Sequence, residues 1–132
     1  MFATERIVEF GMCDSGGILF FSRIFELAHS AYEEYVINGL ENNYFENEKI
    51  AIPLISASSD FHKPISLHEI LNVNIEVSKI GNSSFQLITT FLDELNSKKA
   101  TVVTTHIFVD KKEFKKINIP DDFLSLLKKD QS

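Results

Sequence analysis

The alternation of apolar and polar residues is clearest in the middle of the chain. Leu71, Val73, Ile75 and Val77 fall on one side, Asn72, Asn74, Glu76 and Ser78 on the other. A period of two with one apolar set predicts a strand with one buried and one wet face. Gly81-Asn82 is a turn signal. Beyond it Phe85, Leu87, Thr89 and Phe91 share a face, so the two runs predict a hairpin. Asp93 to Lys98 predicts the next turn. Lys99 to Val109, rich in Thr and Val, predicts a further strand. Upstream, Ile52 to Phe61 predicts a strand that stops before Pro64, with Pro64 to His68 as a connection. Glu5 to Met12 alternates less cleanly and predicts the first strand.

The period changes between these strands. Ile24, Leu27, Ala28, Ala31 and Tyr35 recur at helical spacing, and Phe21, Phe25, Tyr32 and Val36 widen the stripe. The pattern predicts a helix from about Phe20 to Ile37, terminated by Gly39. So broad an apolar face predicts burial on more than one side, as in a helix cradled by a sheet. The polar residues from Glu41 to Ile50 predict a loop. Pro120 opens a short C-terminal helix with Asp121 and Asp122 in its first turn and Lys128 and Lys129 in its last, the order the helix dipole favours. Strand, long helix, four strands and a terminal helix make an α+β architecture. No linker or repeat divides the chain, so residues 1–132 read as a single domain.

Composition narrows the function classes. Hydrophobic residues make up 44%, including twelve Phe, which fits an aromatic-rich core. A net charge of −6 argues against a nucleic-acid partner, because phosphate backbones need a basic face. No apolar run approaches the ~20 residues of a membrane helix, and no basic, apolar leader opens the chain. The single cysteine can form no internal disulfide. A cytoplasmic location and no membrane partner are expected.

The chemistry-bearing stretch is Phe10-Gly11-Met12-Cys13-Asp14-Ser15-Gly16-Gly17-Ile18-Leu19-Phe20-Phe21. A strand runs into an acid, then two glycines that permit a sharp turn, then the helix. Taken alone, Asp14 is either a turn residue or a carboxylate placed to act on something docked at the helix start. Cys13 could be a nucleophile, but without a paired His in the motif the structural reading is preferred.

Cys13 to Phe21, followed by a helix, resembles the signature of the 4-hydroxybenzoyl-CoA thioesterase family of hotdog-fold proteins. Asp60-Phe61-His62-Lys63-Pro64 is a second match, and Val77 to Phe85 resembles the family's turn between its third and fourth strands. Ala28-His29-Ser30-Ala31-Tyr32-Glu33 is similar to the helix of the branch that hydrolyses 1,4-dihydroxy-2-naphthoyl-CoA in quinone biosynthesis. The chain departs from many relatives at Phe21 and at Arg23-Ile24.

The resemblance implies a hotdog fold, a curved antiparallel sheet around one long helix. It implies a homodimer or homotetramer with active sites at the interface, and Asp14 as the catalytic carboxylate. An acyl-CoA thioesterase for an aromatic or otherwise bulky acyl group is then expected. The alternative is a hotdog protein that binds an acyl-CoA without turning it over. A carboxylate can attack a thioester carbonyl directly or activate water, and both routes remain open.

Around Asp14, Gly17, Phe20, Phe21 and Phe25 are the candidates for the acyl pocket, with core packing as the plainer role of the three rings. Glu33 joins them as a weaker candidate, since His29 and Glu33 share a helix face and could equally be a surface ion pair. Lys63, Lys79, Ser83 and Ser84 sit at strand ends and a turn and are candidates for the phosphates of coenzyme A. His62, His68 and His106 lack metal-ligand spacing, so no metal is expected, and no cofactor beyond the coenzyme A of the substrate.

Overall fold

The computed structural model describes residues 1–131. The chain begins with β1 (Phe2–Ile7), followed by a short 3-10 turn at Phe10–Met12 and the long helix α1 (Arg23–Gly39). Next come β2 (Ile50–Ala51), β3 (Leu54–Phe61), β4 (Ile70–Ile80), β5 (Ser84–Leu92), β6 (Lys98–Ile107), β7 (Val109–Asp110) and α2 (Asp121–Lys129). One five-stranded sheet has the order β1-β4-β5-β6-β3, every pair antiparallel. β2 and β7 pair separately.

Inward faces follow the predicted parity. Leu71, Val73, Ile75 and Val77 of β4, and Phe85, Leu87, Thr89 and Phe91 of β5, are all buried. On β6 the inward set is Ala100, Val102, Thr104 and His106, so two polar side chains enter the core from that strand. α1 lies across this face, burying Ile24, Leu27, Ala28, Ala31, Tyr32, Tyr35 and Val36. It touches both edge strands, β1 and β3, as well as β4 and β6. A sheet that meets one helix at both edges is wrapped around it, which is the hotdog arrangement.

Several boundaries differ from expectation for physical reasons. The first strand lies earlier, over Phe2–Ile7, because its partner β4 offers the register Phe2↔Ile75 to Ile7↔Ile70. Helix α1 begins at Arg23 rather than Phe20, since the Phe20 N–H is drawn to Met12 O at 2.8 Å and closes the preceding loop. Gly39 is the last helical residue instead of a stop beyond it, and it lies under Leu126 of α2, whose Cδ1 would be 2.6 Å from a Cβ there. The segment from Ile52 is broken by Pro53, which cannot donate to a ladder, so β2 and β3 are separate. A register shift between Val77 and Lys79 frees the Val77 N–H to reach Asp130 O at 3.0 Å, and this ties the end of α2 to the sheet.

α2 closes the far end of the core. Phe123 meets Tyr44, Phe85 and Phe108 with ring centroids 4.8 to 5.4 Å apart. These edge and tilted contacts add to simple area burial. The two sheet edges are unequal. β1 is held to α1 by Arg6, whose Nη1 lies 2.9 Å from Glu34 Oε1. β3 is exposed along nearly its whole length, and Leu54, Ile55 and Phe61 are 44%, 58% and 43% accessible.

Candidate active site

The loop from Cys13 to Leu19 is pinned on all sides. Cys13 and Leu19 form an antiparallel bridge across its neck, and Ile18 bridges to Ser66. Leu19 N–H donates to Ile65 O at 2.8 Å, and Leu67 N–H to Gly17 O at 3.0 Å. Gly17 sits at φ +77, a left-handed conformation that explains why glycine is needed at this position.

Within this loop Asp14 is fixed by its own neighbours. Its Oδ1 accepts from the Gly16 N–H at 2.8 Å and the Ile18 N–H at 3.3 Å. Its main chain closes the turn, with Asp14 N–H to Ile18 O at 2.8 Å and Gly17 N–H to Asp14 O at 3.1 Å. The turn role and a chemical role therefore coexist: one carboxylate oxygen orders the loop, while Oδ2 takes no hydrogen bond among the described residues. The carboxylate is exposed.

Beside the loop lies an apolar cleft of about 380 Å³, lined by Ile18, Leu19, Phe21, Phe61, His62, Lys63, Pro64 and Ile65. It brings together the Asp14 loop, Phe21 and the Asp60–Pro64 segment, three stretches singled out in the sequence. The Phe20 and Phe21 rings pack against each other in a tilted arrangement at 5.0 Å and are 47% and 64% exposed, so neither is core. Phe25 is half-buried one turn further on, in a second groove with Glu26, His29, Ser30, Glu33 and Leu54.

At the start of α1, Arg23, Ile24 and Phe25 donate their N–H groups to Phe20, Phe21 and Ser22 carbonyls at 2.9, 3.4 and 3.3 Å. Those donors are spent within the chain. Among the described residues the Phe21 and Ser22 N–H groups of the same turn meet no acceptor.

The other candidates separate. Glu33 pairs with His29, Oε1 to Nε2 at 3.0 Å, both roughly half exposed, as the surface reading expects. Cys13 is half-buried, its Sγ 3.7 Å from Glu9 O. Lys63 lies by Phe61, whose row across the sheet runs Phe61, Ala100, Phe91, Val73. Ser83 and Ser84, with Lys79 nearby, belong to the opposite end, where the row is Leu54, His106, Phe85, Ile80. The 8 residues of β3 set those ends roughly 23 Å apart at about 3.3 Å per residue. A single chain thus does not gather the four coenzyme A candidates. Among the described residues no three His, Cys, Asp or Glu side chains cluster as metal ligands, and no helix is long and apolar enough to cross a membrane.

One polar group of residues was not legible as a site. Tyr32, Thr104 and His106 surround a small internal cavity between α1 and the β6–β3 edge. The signal was present in the parity of β6, which places Thr104 and His106 inward with Ala100 and Val102.

Comparison with known proteins gives the chain its place. It is 32% identical over 126 residues to a 1,4-dihydroxy-2-naphthoyl-CoA hydrolase of Prochlorococcus marinus subsp. pastoris, covering 89% of this chain and 82% of that one. It is 29% identical over 128 residues to a hydrolase of the same name from Nostoc punctiforme, covering 96% and 86%. The crystal structure of a 1,4-dihydroxy-2-naphthoyl-CoA thioesterase from Synechocystis superposes with a TM-score of 0.88 at 25% identity, over 96% of this chain and 94% of that one. The family model of the thioesterase-like superfamily matches residues 8–127, a span that takes in the Asp14 loop, α1, the five-stranded sheet except β1, and most of α2, and the chain belongs to that superfamily.

Proposed function

We propose that this chain is an acyl-CoA thioesterase acting on aromatic or bulky acyl groups, with 1,4-dihydroxy-2-naphthoyl-CoA as the specific candidate substrate. The observation that carries the reading is Asp14: a carboxylate with one oxygen locked by the loop and the other unbonded, in a loop whose Ile18 and Leu19 line an apolar cleft. The named activity of the relatives supports the substrate. In one route Asp14 Oδ2 attacks the thioester carbonyl carbon, the C–S bond breaks, coenzyme A leaves as thiolate, and water opens the mixed anhydride. In the other, Asp14 takes a proton from water, which attacks the same carbon. Both yield free acid and coenzyme A and need no cofactor. Either passes through an oxyanion, for which the Phe21 N–H is a donor at hand.

We read the functional form as a homodimer or a pair of dimers. The bare edge of β3, with Leu54, Ile55 and Phe61 uncovered, invites pairing with a second copy. Antiparallel pairing of two β3 strands exchanges their ends. Lys63 and the Asp14 loop of one copy then share an end of the joined sheet with Lys79, Ser83 and Ser84 of the other, so the coenzyme A candidates fall on one side of the assembly. The lone cysteine and the coenzyme A substrate suit a cytoplasmic setting.

The test is thioester cleavage followed with a thiol reagent across acetyl-, hexanoyl-, palmitoyl-, benzoyl- and dihydroxynaphthoyl-CoA. Asp14→Asn keeps the Oδ1 acceptor that orders the loop and replaces the charged Oδ2 by an uncharged NH2 group of similar size. It is expected to lower kcat by about 10²-fold or more with the fold unchanged. A folded variant of near-wild-type activity would remove Asp14 from the mechanism. A wild-type protein that binds these thioesters without cleaving them would leave the binding-module reading.

A further inference from the structure

Between α1 and the β6–β3 edge lies a cavity of about 70 Å³ lined by Phe25, Ala28, His29, Tyr32, Leu54, Ala57, Thr104 and His106. Its polar lining is His29 at the outer side and Tyr32, Thr104 and His106 further in; the remaining walls are apolar. Tyr32 is 2% exposed, and its hydroxyl finds no hydrogen-bond partner among the described residues. An unpaired buried hydroxyl costs about 1–3 kcal/mol, so its retention in a close-packed core calls for a partner that arrives with a ligand. Burial, and then the nearby Glu33 charge, push the Tyr32 hydroxyl above the ordinary tyrosine range, so it is a neutral donor.

His106 supports the same point. It is 2% exposed, its Nε2 lies 2.9 Å from Thr104 Oγ1, and its ring stacks on Phe85 at 4.9 Å and faces Tyr32 at 4.5 Å. Burial, and then the His29 charge, push it down to about 4, so the imidazole is neutral at physiological pH. The cavity shares Phe25, His29 and Leu54 with the outer groove of about 390 Å³, which gives it a mouth on the helix surface.

We infer that this cavity is a recognition pocket for the oxygen-bearing edge of an aromatic acyl group, with Tyr32 Oη donating to a ring hydroxyl or oxo oxygen and Thr104 and His106 completing its polar wall. The inference rests on the aryl-CoA thioesterase reading and adds the basis of its selectivity. Tyr32 lies about 14 Å along the axis from the start of α1, beyond the reach of a two-ring acyl group held at the same chain's Asp14. Antiparallel pairing of β3 brings the second copy's Asp14 loop to the Leu54 end, beside the mouth. Each pocket then serves the partner's carboxylate.

The experiment compares a matched pair, 1,4-dihydroxy-2-naphthoyl-CoA and 2-naphthoyl-CoA, on wild type and Tyr32→Phe, without oxygen to protect the hydroquinone. Phe keeps the ring and its packing, so the melting temperature should hold or rise. The variant is expected to lose about tenfold or more in kcat/KM on the dihydroxy substrate and to match wild type on the unsubstituted one. Equal loss on both, or no loss on either, overturns the inference. If wild type cleaves neither thioester, the thioesterase reading falls, and the pocket is then read by equilibrium binding of the two free acids. Preference for the dihydroxy acid that Tyr32→Phe erases sustains the pocket; no preference removes it.

Discussion

Acid should find this fold through His106. The imidazole is 2% exposed, stacked on Phe85 and turned toward Tyr32 and Thr104, so its cationic form has little to solvate it. The exposed His29, paired with Glu33, adds a positive charge nearby whenever it is protonated. His106 is pushed down from 6.5 to about 4. The unfolded chain therefore binds a proton as pH falls through 6.5 while the folded chain does not. Stability from this group is full above that value and is lost as pH falls to about 4. At about 1.4 kcal/mol per pH unit the loss amounts to about 3 kcal/mol, a large share of the roughly 5–15 kcal/mol that holds a domain together.

Carboxylates add their own acid sensitivity lower down. Glu34 is held below its ordinary range by the Thr4 hydroxyl and Arg6, and Asp93 and Asp110 by backbone N–H groups of Ser97 and Glu113. Their contributions are lost as pH falls through those lowered values, in wild type and variant alike, so they cancel in a comparison. Urea unfolding of wild type and His106→Phe at pH 7, 6, 5 and 4 isolates the histidine. Phe preserves the stack on Phe85 and cannot titrate. The wild-type loss between pH 7 and 4 should exceed that of the variant by about 3 kcal/mol. Parallel pH profiles would refute the argument. So would an NMR titration of His106 with a midpoint near 6.5 in the folded protein, a measurement that stands even if the variant folds poorly.

Other perturbations have simpler readings. Gly17→Ala forces a side chain into φ +77 with nothing within 4 Å to clash, so backbone strain alone should cost about 1–2 kcal/mol, seen in chemical denaturation, with activity falling as the Asp14 loop loosens. An unchanged midpoint would show that the loop relaxes freely. Phe123→Ala removes the ring that closes the core against Tyr44, Phe85 and Phe108, and should cost about 3–5 kcal/mol; a loss under ~1 kcal/mol would mean that α2 contributes little to the core. Cys13→Ala should leave thioester cleavage nearly intact, and complete loss in a folded variant would make Cys13 the better nucleophile candidate.

Periodicity determined most of this architecture because it records burial directly. The alternation in β4 and β5 and the broad stripe of α1 state which faces must leave water, and a helix apolar on so many sides has few homes other than inside a wrapped sheet. The Asp14 loop was legible for a related reason: consecutive glycines after an acid mark a backbone that only glycine tolerates, and Gly17 at φ +77 occupies such a conformation. What sequence did not supply was pairing across distance. The position of β1 was set by register against β4, and the start of α1 by a bond from Phe20 back to Met12. The placement of Lys63 and Ser84 at opposite ends of the sheet follows from β3 lying antiparallel to β6, which no local pattern encodes. The cavity at Tyr32 and His106 is of the same kind. Each residue fits its own element as an ordinary member of a face. Only the packing of α1 onto β6 brings the two rings to 4.5 Å and leaves a buried hydroxyl unpaired beside them.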